Sequence, residues 1–155
     1  MEYHVRSARL TDVDPAMRIL MRGGDEGGEQ RGDADRFRSL LFLPAATVVV
    51  AESERRIVGV GVLSIRPTVR SGAFVGVIDE LGLAGEAGGR TRAARADTSD
   101  RMAIGGSILE HLIASARNKG CARVEVSDSL AAAAPALLKS AGFERRGALL
   151  SRAIG

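Results

Sequence analysis

The strongest constraint in this 155-residue chain is a run of three strand-like segments between residues 47 and 83. Thr47 to Ala51 is β-branched and apolar, Ser53-Glu54-Arg55-Arg56 is polar, and Ile57 to Ile65 is apolar again. Thr68 to Gly72 reads as another turn, and a third strand follows from Ala73 to about Leu83. Connections this short join neighbouring antiparallel strands, so the three form a meander. Gly59 and Gly61 lie two apart and share one face of the middle strand.

Helical patterns surround this meander. After a first strand at His4 to Arg9, Thr11 or Asp12 caps a helix through Met17, Ile19, Leu20 and Met21, with Asp14-Pro15 in its first turn. Glycines crowd the loop from Gly23 to Gly32, and Asp33 or Asp35 caps a second helix that carries Phe37, Leu40 and Leu41. Beyond the meander, a long Gly/Arg-rich loop is expected at about 84–102, because Gly85 to Asp100 has no apolar period. Ile104, Ile108, Leu112 and Ala116 then repeat at helical spacing up to Gly120. A strand at Ala122 to Ser127, a short helix around Pro135 to Ala141, and a terminal strand from Phe143 through Leu149 and Leu150 complete the order. One mixed α/β domain over residues 1–155 is expected.

Composition narrows the class. Twenty-two basic and nineteen acidic residues leave a formal charge of +3, with the signs interspersed. Only five residues are aromatic, a poor stacking platform, so a nucleic-acid partner is not expected. The longest apolar run, Leu40 to Ala51, is broken by Pro44 and Thr47 and falls short of the ~20 residues of a spanning helix. The opening Met-Glu-Tyr-His-Val-Arg lacks a basic-then-apolar pattern, and Cys121 is the lone cysteine. A cytoplasmic protein without disulfides is expected. His4 and His111 have no metal-ligand spacing around them, so no metal is expected.

Two places can carry chemistry. A helix starting near Ile104 has unpaired N–H groups able to hold phosphate oxygens; Gly105 and Gly106 allow close approach, and Ser107 adds a hydroxyl. Glycines there also serve packing. Glu80, late in an apolar strand beside Asp79, is a proton acceptor if partly desolvated; otherwise one of these acids faces solvent and the other pairs with an arginine. Asp25, Glu26 and Glu29 either attract a cationic substrate or are solvated, and Arg90, Arg92 and Arg95 either grip anions or are solvated. Cys121 reads as a small buried hydrophobe.

This order of elements resembles the GNAT superfamily of acyl-CoA-dependent N-acyltransferases from about Val5 to Gly147. Three segments carry the likeness. Ile78-Asp79-Glu80-Leu81-Gly82-Leu83 is similar to the family's central strand, and Ala103-Ile104-Gly105-Gly106-Ser107 to the second half of its coenzyme motif. Lys119 to Val126, followed by Leu137 to the Gly142-Phe143 pair, resembles its closing strand and helix. The loop differs, with Asp100 at the family's Gln/Arg position and Ala103 at its first glycine. Leu138 stands where many members have a tyrosine, and Ala131 falls near their asparagine.

The resemblance implies a GNAT-like, mostly antiparallel central sheet of six to seven strands flanked by about four helices. It implies acetyl transfer from acetyl-CoA to a primary amine on a small molecule or peptide. Glu80 would be the base; Leu81, Leu83, Arg101, Ala103, Ile104, Gly105, Gly106 and Ser107 would hold the coenzyme. The departures define a second reading, a GNAT-like acyl-CoA-binding or regulatory module with impaired catalysis. The acceptor and pairing into a homodimer stay open at this level.

Overall fold

Period-2 alternation in the β-branched runs decides the architecture. In the computed structural model, which describes residues 2–21, 30–70, 73–85, 92–147 and 151–153, these runs become the centre of one sheet. Its strands are β1 (His4–Ser7), β2 (Ala46–Ser53), β3 (Arg56–Pro67), β4 (Phe74–Leu83) and β5 (Cys121–Val126), in that spatial order. The first four pair antiparallel, and β5 runs parallel to β4. A parallel neighbour needs a crossover, which the helix between β4 and β5 supplies.

Alternate residues feed opposite cores. Val48, Val50, Val60 and Val62 pack with Val13, Ala16 and Phe37 under α1 (Val13–Leu20) and α2 (Gln30–Leu40). Val49, Ala51, Leu63 and Ile78 face α3 (Arg92–Asn118) through Ile104, Ile108, Leu109, Leu112 and Ala116. The helical stripe expected from Ile104 onward is thus the seat of α3 on the sheet. Gly59 and Gly61 explain how close it comes: a Cβ at Gly61 would lie 2.5 Å from Ile108 and 2.9 Å from Leu112. Gly61→Ala is expected to destabilise the fold by about 2 kcal/mol through overpacking. Gly106→Ala, where a Cβ meets nothing within 4 Å, should instead gain about 0.5–1 kcal/mol as a helix-interior glycine is removed. Urea denaturation of both variants checks the pair.

Four expectations are corrected. The sheet has five strands among the described residues, not six to seven: Phe143 to Gly147 is not strand, with Gly142 and Gly147 at φ of +87° and +135°. Leu149 and Leu150 lie outside the described residues, as do Asp25, Glu26, Glu29 and Arg90. The loop expected at about 84–102 is helical from Arg92, because a run of Ala and Arg sustains a helix without an apolar stripe. The short helix expected around Pro135 to Ala141 is α5 (Pro135–Ser140), but a further helix, α4 (Asp128–Ala133), precedes it, so the described residues hold five α-helices rather than about four. The Ser127 hydroxyl accepts from the Leu130 N–H and caps α4, and Pro135 opens α5. The second helix starts at Gln30, so Asp33 lies in its first turn rather than at its cap. No helix among the described residues is long and apolar enough to cross a membrane.

Candidate active site

A β-bulge sets the geometry of β4. Val62 pairs with Glu80 and Leu63 with Ile78, so Asp79 is an extra residue with no partner on β3. The bulge turns Glu80 onto the face of Val62, towards α1 and α2, while Asp79 accepts a hydrogen bond from the Ser64 hydroxyl. Without the extra residue, strict alternation would send Glu80 to the other face.

Beside the bulge, β4 outruns its neighbour. The last β4–β5 pair is Ile78 with Val126, and the Ser127 N–H donates to the Ile78 carbonyl at 3.3 Å. From Asp79 to Leu83, β4 keeps β3 on one edge, and among the described residues no strand covers the other. The Ala84 N–H donates to the Val58 carbonyl at 2.9 Å, so by alternation the main-chain groups of Leu81 and Leu83 point away from β3. They line the gap that β5 leaves. Their side chains pack, half-buried, against the α3 core. Gly82, between them, lets α1 settle: a Cβ there would lie 2.8 Å from Ile19 and 3.0 Å from Leu20.

Glu80 keeps access to solvent. Packing around its carboxyl group, then the neighbouring Asp79 charge, raises its pKa above the ordinary value. Both causes penalise the ionised form. The result is a carboxylate more basic than usual at the rim of an open strand edge.

The other expected site residues fall elsewhere. Ala103 to Ser107 is not a helix start, since α3 begins at Arg92, about three turns earlier. Their N–H groups therefore lie within the helical ladder, and the unpaired ones belong to the first turn at Arg92. Ile104 and Gly105 are buried; a Cβ on Gly105 would lie 2.7 Å from Leu137. The Ser107 hydroxyl bonds the Tyr3 hydroxyl at 2.8 Å, and Ser115, on the same line of α3, bonds Thr47 of β2 at 2.7 Å. That line faces the β1–β2 side, away from the β4–β5 gap. Arg101 Nη1 donates to the Ala84 carbonyl at 2.8 Å and pins the end of β4 to α3. Leu138 is buried in the α3 core. Burial raises the Cys121 thiol pKa, which keeps it protonated. Among the described residues, no group of three His, Cys, Asp or Glu side chains could hold a metal ion.

One feature of this site escapes spacing rules: the bulge. Its only sequence trace is the pair of acids, Asp79-Glu80, interrupting an apolar strand.

A helix-covered, mostly antiparallel sheet of five strands with a parallel fifth matches a GNAT-like fold. Solved structures match it over nearly the whole chain. A glucosamine-6-phosphate N-acetyltransferase from Arabidopsis thaliana aligns with a TM-score of 0.72 at 16% identity, covering 100% of both chains. An aminoglycoside acetyltransferase from an uncultured soil metagenomic sample, solved with sisomicin, aligns at 0.71 and 16% identity, covering 99% of this chain and 97% of its own. A transcriptional regulator from Bacillus halodurans C-125 aligns at 0.74 and 18% identity, covering 99% and 100%. No family model matches the chain, and no curated protein matches it by sequence. The chain has the GNAT fold.

Proposed function

We propose that this protein is a cytoplasmic N-acetyltransferase that moves an acetyl group from acetyl-CoA to a primary amine. The observation that carries the reading is the bulged end of β4, with Glu80 on one face and the main-chain groups of Leu81 and Leu83 open at the edge. An extended, amide-bearing acyl carrier fits such an edge, because it can pair with main-chain groups as a strand would. Acetyl-CoA supplies the thioester whose acyl carbon is attacked.

The residues of the chain do the rest. An acceptor amine is mostly protonated at neutral pH, with a pKa near ~10 for a lysine-like group, and cannot attack until it loses a proton. Glu80 takes that proton, directly or through one water. The N–H group of Leu81, next to Glu80, polarises the thioester carbonyl, and the main-chain groups of Leu83, about 7 Å further along the strand, pair with the amide-bearing arm of the carrier. Leu138 cannot protonate the departing sulfur, so that proton comes from solvent or from the acceptor. Arg101 serves the open edge by pinning the end of β4 to α3, whereas Ala103, Ile104, Gly105, Gly106 and Ser107 lie inside α3 and present no free N–H groups.

The neighbours that act on glucosamine-6-phosphate and aminoglycosides support an amine-bearing small molecule as acceptor. The continuation of α3 back to Arg92 favours a second reading, a module that binds acyl-CoA without turnover. Acetyl-CoA at a hundred times its Kd should raise the Tm by roughly 5–10 °C. A shift accompanied by thiol release on an amine panel supports the enzyme, and a shift without release supports the module. No shift at millimolar acetyl-CoA overturns both.

A further inference from the structure

We propose a second binding site, for a small molecule carrying more than one phosphate group, in the concavity between α1 and the β2–β3 hairpin. Its volume is about 680 Å³, and Arg6, Arg9, Arg18, Arg55 and Arg56 line it together with Asp12 and Glu52. A cavity of that size suits a small-molecule ligand.

The charges are unequally matched. Five guanidinium groups face two carboxylates, an excess as large as the formal charge of +3 carried by the whole chain. Both carboxylates are taken by one arginine: Arg6 Nε donates to Glu52 Oε2 at 2.8 Å, and Nη1 and Nη2 donate to Asp12 at 2.7 and 3.0 Å. Among the described residues, Arg9, Arg18, Arg55 and Arg56 have no carboxylate within ion-pair distance, and all four are exposed. Four like charges around one hollow repel each other until an anion enters. Guanidinium forks match phosphate oxygens in pairs.

The hairpin adds a separate observation. Glu54 and Arg55 form its two-residue turn at φ of +49° and +62°. This left-handed turn is usually made by Asn-Gly, since side chains rarely adopt it. Arg55 thus stands at the lip of the cationic hollow in a conformation that side chains rarely adopt. No aromatic side chain lines the hollow, so it has no platform for stacked bases. Ile19 and Ala84 line it, whereas Glu80, Leu81, Leu83 and the residues of β5 do not. The hollow is therefore distinct from the β4–β5 gap.

Inorganic pyrophosphate is the probe, titrated against the full chain and read by thermal shift and calorimetry. The wild type should gain roughly 5 °C at saturating pyrophosphate, beyond any effect of sodium chloride at matched ionic strength. Arg9→Ala with Arg18→Ala should weaken binding at least about tenfold and leave the acetyl-CoA response unchanged. Arg55→Gly should raise the Tm of the free protein by roughly 2–4 °C, because the turn relaxes, and still reduce the pyrophosphate shift. A merely structural Arg55 would not separate those two signs. No shift beyond chloride in the wild type overturns the proposal. So does a shift that survives in the double variant, or equal binding of single-stranded DNA.

Discussion

Arg6→Ala is expected to cost about 3 kcal/mol of folding stability, enough to lower the Tm by roughly 6–12 °C. Arg6 joins three elements. From β1 it holds Glu52 of β2 at 2.8 Å and, through both terminal nitrogens, Asp12 at the entrance to α1 at 2.7 and 3.0 Å. The Asp12 side chain is only 6% exposed and that of Arg6 18%, so water cannot replace what the alanine removes. Asp12 also accepts from the Arg9 N–H at 2.7 Å, which closes the short turn Leu10–Asp12 ahead of α1. An exposed ion pair contributes under about 1 kcal/mol, so a loss that small would contradict the buried assignment.

The same contact predicts a pH dependence. Bonds to Arg6 hold the Asp12 carboxyl below its ordinary pKa, against the opposing effect of burial. A carboxylate whose folded pKa is depressed stabilises the fold above its unfolded pKa, near ~3.9, and loses that contribution as pH falls through the folded value. The difference in stability between wild type and Arg6→Ala should therefore be full at pH 7 and narrow below about pH 4. Urea denaturation at pH 7, 5 and 3 measures it. Asp12→Asn should be destabilised at pH 7 and much less sensitive to acid.

How much of this was legible in the sequence depends on the range of each interaction. The meander was legible because Thr47 to Ala51, Ile57 to Ile65 and Ala73 to Leu83 are apolar runs separated by short polar turns. The seat of α3 was legible because Ile104, Ile108, Leu112 and Ala116 recur every four residues. Its first turns were not, because Arg92 to Asp100 has helix-forming residues but no apolar stripe for periodicity to detect. That omission moved the expected helix start, and with it the expected phosphate site, about three turns along the chain. The Arg6, Asp12 and Glu52 cluster left no trace at all: Arg6 and Glu52 are 46 positions apart and meet only because β1 pairs with β2. The candidate site was half legible. Glu80 could be picked out as an acid in an apolar strand, but the face it occupies depends on one unpaired residue, Asp79.

That dependence gives the largest expected effect on activity. Under the proposed mechanism, Glu80→Gln should lower acetyl transfer at pH 7 by roughly 10²–10³-fold, the range expected when a general base is removed. The loss should shrink as pH rises, because more of the acceptor is then deprotonated by solvent. In the wild type, the ascending limb of kcat/KM should lie above the ordinary carboxylate range, since packing and the Asp79 charge raise the Glu80 pKa. Asp79→Asn removes the second of these causes, so it should shift that limb to lower pH without abolishing turnover. Stability should move the other way. A folded-state pKa above the unfolded one favours the fold most at low pH, and that advantage disappears as pH rises through the folded pKa. At pH 7 the ionised Glu80 is a mild burden on the fold, so Glu80→Gln should keep or slightly raise the Tm while activity falls. A structural acid would lose both together. Equal pH–rate profiles for wild type and Glu80→Gln would remove Glu80 from the chemistry and leave the open edge of β4 with a binding role alone.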